Sequence, residues 1–133
     1  MKSVLLVDDD NTLLLGTGIR LKSMGYTVFT AKDAVSAVSA VRKSAPDVVV
    51  LDISLPAGDG FLVAERLMRL VGSGATPIIF MSATDNPKLR ERAKKLGAPF
   101  LSKPFDATQL ADAIEAALSP GDSWTPLAAM AAP

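Results

Sequence analysis

VLLVDDD at residues 4–10 is a solid apolar run that stops abruptly in three acids. Val4–Val7 shows no alternation of apolar and polar residues, so it suits a short strand covered on both faces rather than one with a wet side. The same form recurs along the chain. Val48–Leu51 runs into Asp52, Ile78–Met81 runs into Ser82, and the weaker Phe100–Leu101 leads to Lys103 and Pro104. Tyr26–Phe29, β-branched and aromatic, is a further strand candidate. Between these runs lie segments of helical length: Asn11–Met24, Ala34–Ser44, Gly60–Val71, Pro87–Leu96 and Ala107–Leu118. Asp33, Asp59, Asn86 and Asp106 stand at N-cap positions, Gly25 and Gly97 at C-terminal ends, and Pro87 at a first helical position. Pro46 stops the second helix. Strand and helix alternating five times predict an α/β fold, a doubly wound five-stranded parallel sheet with helices on both faces and right-handed crossovers.

A chain of 133 residues fits one domain, and 49% hydrophobic residues suffice to fill its core. Fourteen Lys and Arg balance fourteen Asp and Glu, so there is no basic excess to drive nucleic-acid or membrane-surface binding. A local basic patch stays open. With no Cys, neither a disulfide framework nor a thiolate zinc site is possible. With no His, there is no imidazole ligand, no His–Asp triad and no phosphohistidine. Any general base must be Asp, Glu, Lys or water. The N-terminal apolar run is too short for a secretory leader and nothing is long enough to span a bilayer, so a cytoplasmic location is expected. Residues 1–118 read as the domain, and 119–133, rich in Pro and Ala, as a tail or the start of a linker with Trp124 as a tethered aromatic.

In an open doubly wound sheet, ligands bind at the carboxyl ends of the strands. Asp8, Asp9 and Asp10 follow the first run, Asp52 the third, Ser82 and then Thr84 the fourth, and Lys103 the fifth. Alone, each has an ordinary explanation: an acid after a strand is usually a helix cap, a Lys-Pro pair a solvated loop, a Ser a turn residue. Together they bring acids, a hydroxyl and an ammonium to one edge. Crowded carboxylates repel one another and call for a hard divalent ion such as Mg2+, with Mn2+ as a substitute. Lys103 supplies a fixed positive charge, and the set makes a phosphoryl-transfer site with the Asp52 carboxylate as nucleophile.

The stretches VLLVDDD at 4–10, PDVVVLDISLPAGDG at 46–60, PIIFMSAT at 77–84 and GAPFLSKPF at 97–105 closely resemble the receiver domains of two-component response regulators. The resemblance runs from about Lys2 to Leu118 and implies a flavodoxin-like sheet of order 2-1-3-4-5. It implies that Asp52 is the phosphoacceptor. Asp9, Asp52 and the backbone carbonyl of Ser54 would hold Mg2+, with Asp8 acting mainly through a bound water. Ser82 resembles the switch hydroxyl, Lys103 the family's lysine and Phe100 the switch aromatic. In the family, phosphorylation draws the hydroxyl toward the phosphoryl group, the aromatic turns inward, and the face made by the fourth helix, fifth strand and fifth helix changes. Pro56 and Gly60 match the loop after the acceptor, and Ser54 and Thr84 sit where the family tunes phosphoryl lifetime. Neither is an acid or amide that would position a water, so slow autodephosphorylation is expected. The chain departs at Pro99, where members commonly carry Asp. Gly16 and Gly18 also weaken the first helix, which close packing against a neighbour would explain.

Other readings use the same residues. Asp8-Asp9-Asp10-Asn11-Thr12-Leu13 fits the D-x-D-x-T-L signature of haloacid-dehalogenase-type phosphatases, with Asp8 as nucleophile. That family needs an insertion after the first strand and a late acidic pair, and it leaves Asp52 without a role. A degenerate, phosphate-independent interaction module conflicts with the intact set of acids, hydroxyl and lysine. A flavodoxin-like flavin binder lacks its phosphate loop. Without His, the chain takes its phosphoryl group from outside, and the resemblance implies a histidine kinase or phosphotransfer protein as donor. Leu13, Leu14 and Leu15 cannot all face one way on a helix, so one is expected to be exposed and to help dock the donor. Lys88, Arg90, Arg92, Lys94 and Lys95 against Glu91 read as a solvated face, or as part of an output surface for a protein target or a homodimer. No DNA-binding segment follows in this chain, so the reading is a stand-alone regulator or a receiver cut from a longer protein.

Overall fold

A computed structural model of the protein describes residues 2–54, 63–67, 76–84 and 86–118. The elements are β1 (Ser3–Val7), α1 (Asn11–Ser23), β2 (Thr27–Ala31), α2 (Ala34–Ser44), β3 (Val48–Asp52), helical residues 63–67 as α3, β4 (Ile78–Ser82), α4 (Pro87–Lys95), β5 (Phe100–Ser102) and α5 (Ala107–Leu118). The strands form one parallel sheet of order β2-β1-β3-β4-β5. The first strand lies inside the sheet between β2 and β3, so the ends of β1 and β3 meet where the strand order reverses, the usual ligand-binding crevice of such sheets.

The solid apolar runs are explained by two cores. Leu5, Val7, Val49, Leu51, Ile78 and Phe80 face one side, where they pack with Ala37 and Val41 of α2, Val63, Ala64 and Leu67 of α3, and Ala93 of α4. Val4, Leu6, Val48, Val50, Ile79 and Met81 face the other, against Leu14 and Leu21 of α1 and Leu110 and Ile114 of α5. Alternate residues point to opposite faces, so a strand covered twice must be apolar at every position. At roughly 1.5–3 kcal/mol for each fully buried large aliphatic side chain, these central strands dominate the stability of the fold.

The strand register places the chemistry. Val7 pairs with Leu51, Asp52 with Met81, and Ser82 with Ser102. Asp8, Asp52, Ser82 and Lys103 therefore emerge at the same edge, within two residues of one another in register.

Local signals act largely as the sequence suggests. The Asp10 side chain accepts from the Thr12 and Leu13 N–H groups, Asp33 forms a capping box with Ser36, and Asn86 accepts from the Lys88 N–H. Asp106 accepts from the Gln109 N–H at 2.8 Å, and the Gln109 side chain accepts in return from the Asp106 N–H at 2.9 Å. Gly25 and Gly97 carry the positive φ that ends α1 and α4.

The second strand differs from the expected Tyr26–Phe29. The Tyr26 N–H still bonds back to the Leu21 carbonyl, so Tyr26 belongs to the turn, and pairing with β1 carries the strand on to Ala31. Met24 and Leu96 are caps rather than helical residues. The expected packing reason for Gly16 is absent, because a Cβ there would meet nothing within 4 Å. At Gly18 a Cβ would lie 3.7 Å from Val28 Cγ1, an ordinary contact. Of Leu13, Leu14 and Leu15, Leu14 enters the core, Leu13 packs against it, and Leu15 is 68% exposed. Asp59, Pro56, Gly60, the ends of the expected Gly60–Val71 helix, Trp124 and the stretch 119–133 lie outside the described residues. Among the described residues no helix is long and apolar enough to cross a membrane.

Candidate functional site

Asp8 follows β1 and is fully buried, and Asp52 ends β3 and is nearly so. Each divides its carboxylate in the same way. Asp8 Oδ1 accepts from the Asp10 N–H at 2.9 Å, and its Oδ2 accepts from Lys103 Nζ at 2.5 Å. Asp52 Oδ1 accepts from the Ser54 N–H at 2.8 Å, and its Oδ2 accepts from Lys103 Nζ at 3.2 Å. One ammonium thus serves two buried acids, and backbone N–H groups fix the remaining oxygens. Burial pulls the Lys103 ammonium toward losing its proton, but the Asp8 hydrogen bond and the charges of Asp52 and Asp8 outweigh this, and its pKa is held above the ordinary lysine value.

Asp9 is exposed at the mouth of the site. One carboxylate oxygen each from Asp8, Asp9 and Asp52 lie within 4.8 Å of one another. Three carboxylates against one ammonium leave a local excess of negative charge, and their oxygens are the hard donors that a small divalent cation takes. The donor set fits Mg2+.

Ser82, at the end of β4, is fully buried. Its hydroxyl accepts from the Thr84 N–H at 3.0 Å and lies 3.4 Å from Ser54 Oγ. Its carbonyl accepts from the Lys103 N–H at 2.8 Å, which ties the lysine's backbone to β4, and the Lys103–Pro104 peptide is cis. Ser54 therefore touches both neighbours, by its N–H to Asp52 and by its hydroxyl to Ser82. Thr84 is exposed. Asp10 is exposed and acts as the α1 cap, the ordinary role of an acid after a strand.

Phe100 on β5 is half-buried against the core formed with α2 and α4. Its ring is covered by the Arg90 guanidinium, whose central carbon is 4.8 Å from the ring centroid. Arg90 also donates to Ser102 Oγ. The sequence pointed to Arg90 only as one of five cations on α4. Nothing in its spacing marks the contact, because it depends on how α4 lies across β5.

The profile of the response regulator receiver domain matches residues 4–115. The chain is 31% identical over 120 residues to Protein PilH of Pseudomonas aeruginosa, spanning 90% of this chain and 99% of that one. It is 30% identical over 119 residues to the DNA-binding dual master transcriptional regulator RpaA of Synechocystis, spanning 89% of this chain and 49% of RpaA. The chain thus spans about half the length of some curated relatives and nearly the whole of another. Among solved structures, the chemotaxis protein CheY4 of Vibrio cholerae superposes with a TM-score of 0.78 at 28% identity, over 86% of this chain and 97% of CheY4. The non-phosphorylated HemR receiver domain of Leptospira biflexa gives a TM-score of 0.78 at 34% identity, over 90% and 95%.

Proposed function

Because the chain belongs to the receiver domains of two-component response regulators, a family of signalling domains, we propose that it accepts a phosphoryl group on Asp52 from a phosphohistidine donor. An Asp52 carboxylate oxygen forms the new bond to phosphorus, the phosphorus–nitrogen bond of the donor breaks, and the electron pair leaves with the imidazole. Asp8, Asp9, Asp52 and the backbone carbonyl of Ser54 would hold Mg2+, which supplies charge neutralisation at the phosphoryl oxygens. Lys103 supplies a second positive charge, and the Ser82 hydroxyl a hydrogen-bond donor to a phosphoryl oxygen. Phe100 then carries the change to the face made by α4, β5 and α5.

The observation that carries this reading is the pair of contacts from Lys103 Nζ, 2.5 Å to Asp8 and 3.2 Å to Asp52, beside the buried Ser82 hydroxyl. The phosphatase alternative uses Asp10 as its second acid, and Asp10 is engaged as the cap of a helix that begins at the next residue. A histidine kinase or phosphotransfer protein is the proposed donor. Leu15 and Ile19, one helical turn apart on α1 and 68% and 58% exposed, support docking there. The output partner is a protein target or a second copy of the chain at the α4–β5–α5 face, with no direct contact to nucleic acid or membrane, in the cytoplasm. Residues 1–118 form the receiver unit on this reading.

The test is labelling with acetyl phosphate and Mg2+, followed by borohydride reduction of the acyl phosphate and peptide mass spectrometry. The expected result is modification at Asp52, lost in Asp52→Asn and in the presence of a chelator. Modification at Asp8 that persists in Asp52→Asn establishes the phosphatase chemistry instead. No label on the native chain leaves only the phosphate-independent module.

A further inference from the structure

Arg90 stands on α4 but reaches two side chains of β5. Its guanidinium lies over the Phe100 ring at 4.8 Å, and it donates a hydrogen bond to the Ser102 hydroxyl. Phe100 and Ser102 are two residues apart on a strand, so their side chains leave the same face, and one planar cation can serve both. The next residue is Lys103, whose N–H bonds the Ser82 carbonyl and whose ammonium holds Asp8 and Asp52. A contact from α4 thus ends one residue from the charged centre.

The half-buried Phe100 packs against the core, and its ring carries the Arg90 guanidinium. A change of Phe100 rotamer must therefore break the stack. We propose that Arg90 is a latch on Phe100: it holds the ring in its resting position, joins α4 to β5, and so opposes phosphorylation of Asp52. The inference rests on the receiver reading above, in which the ring moves when Asp52 is modified. Anything that binds one of two coupled arrangements more tightly shifts the other site by the same factor. A contact made only in the resting arrangement therefore lowers the readiness of Asp52 to accept phosphate. A cation over an aromatic ring at a solvent-accessible site biases such an equilibrium by about 2- to 5-fold. Arg90 is a positioning residue here, since it acts on the acids only through β5.

The test uses the full chain carrying fluorophenylalanine, with the Phe100 resonance assigned by its loss in Phe100→Leu. The native chain, Arg90→Gln, Arg90→Lys and Ser102→Ala are compared before and after acetyl phosphate with Mg2+. In the native chain the Phe100 resonance moves on phosphorylation. In Arg90→Gln the resting resonance lies part-way toward the phosphorylated position, and labelling of Asp52 is about 2- to 5-fold faster. Arg90→Lys, which keeps the charge without the planar fork, restores part of the native behaviour, and Ser102→Ala shows a smaller effect than Arg90→Gln. If Asp52 is labelled normally but Arg90→Gln leaves both resonance and rate unchanged, the latch is overturned and the receiver reading stands. If the native chain takes no Mg2+-dependent label at all, both are overturned.

Discussion

The Lys103 ammonium lies closer to Asp8, at 2.5 Å, than to Asp52, at 3.2 Å. Both acids are buried, so Lys103 neutralises the floor of the site as well as facing the proposed acceptor. Removing one partner from a buried ion pair leaves an uncompensated charge, at a cost of about 3 kcal/mol. Lys103→Met is therefore expected to lose roughly that much stability in urea unfolding with a chelator present. Mg2+ should stabilise the variant more than the native chain, because the cation no longer shares those carboxylates with an ammonium. An equal response of both proteins to Mg2+ would show that lysine and metal do not draw on the same acids.

The fold was legible because its evidence is local and repeated. Unbroken apolar runs such as Val48–Leu51 signal burial on both faces, and Asp33, Asn86 and Gly97 mark helix ends by chemistry that needs no tertiary context. Asp8, Asp52, Ser82 and Lys103 were legible because parallel strands in register bring all their carboxyl ends to one edge. Two kinds of feature were not. The start of β2 depends on the Tyr26 N–H remaining bonded within the α1 turn, which no composition reveals. The contact of Tyr26 with Glu115 joins elements distant in the chain, that of Arg90 with Phe100 depends on how α4 lies across β5, and many polar residues of the same type stay solvated.

Phosphoryl lifetime follows from what stands beside Asp52. Ser54 presents a small hydroxyl directed at Ser82, and Thr84 is exposed, so neither is an acid or an amide that would orient a water for attack. Once labelled, the chain is expected to keep its phosphoryl group for minutes or longer, measured by decay of the labelled species after removal of the donor. A half-life of seconds contradicts this account. Ser54→Glu, which places a carboxylate at that position, is expected to shorten the lifetime.

Gly16 lies on the exposed side of α1 and makes no close packing contact. The added Cβ of Gly16→Ala meets nothing within 4 Å, while the glycine costs the helix up to about 1 kcal/mol relative to alanine. The substitution is expected to raise the unfolding free energy by up to that amount, seen as a higher urea midpoint with an unchanged slope. A loss of stability would mean that Gly16 has a role in the helix that its open surroundings do not account for.

Tyr26 is the chain's single tyrosine, so its ionisation can be followed directly by near-ultraviolet absorbance. Its ring is buried in the core shared by α1 and α5, and its hydroxyl donates to Glu115 Oε1 on α5 at 2.5 Å. Burial, then the hydrogen bond to Glu115 and its negative charge, push the phenol up from 10.0 to about 12. The native protein should therefore show its phenolate near pH 12, and the unfolded protein near pH 10. Because the folded pKa is the higher one, the folded state holds the proton more tightly. This contribution to stability is complete below pH 10 and fades as the pH rises toward 12. Lys103 has the same sign, with a folded pKa above 10.5, so it too loses its contribution only in alkali. Tyr26→Phe separates the two. It removes the absorbance change, costs about 1 kcal/mol at neutral pH through the lost hydrogen bond, and leaves the Lys103 part of the alkaline decline in place. A native phenolate appearing near pH 10 would show that Tyr26 is not tied to Glu115 in solution.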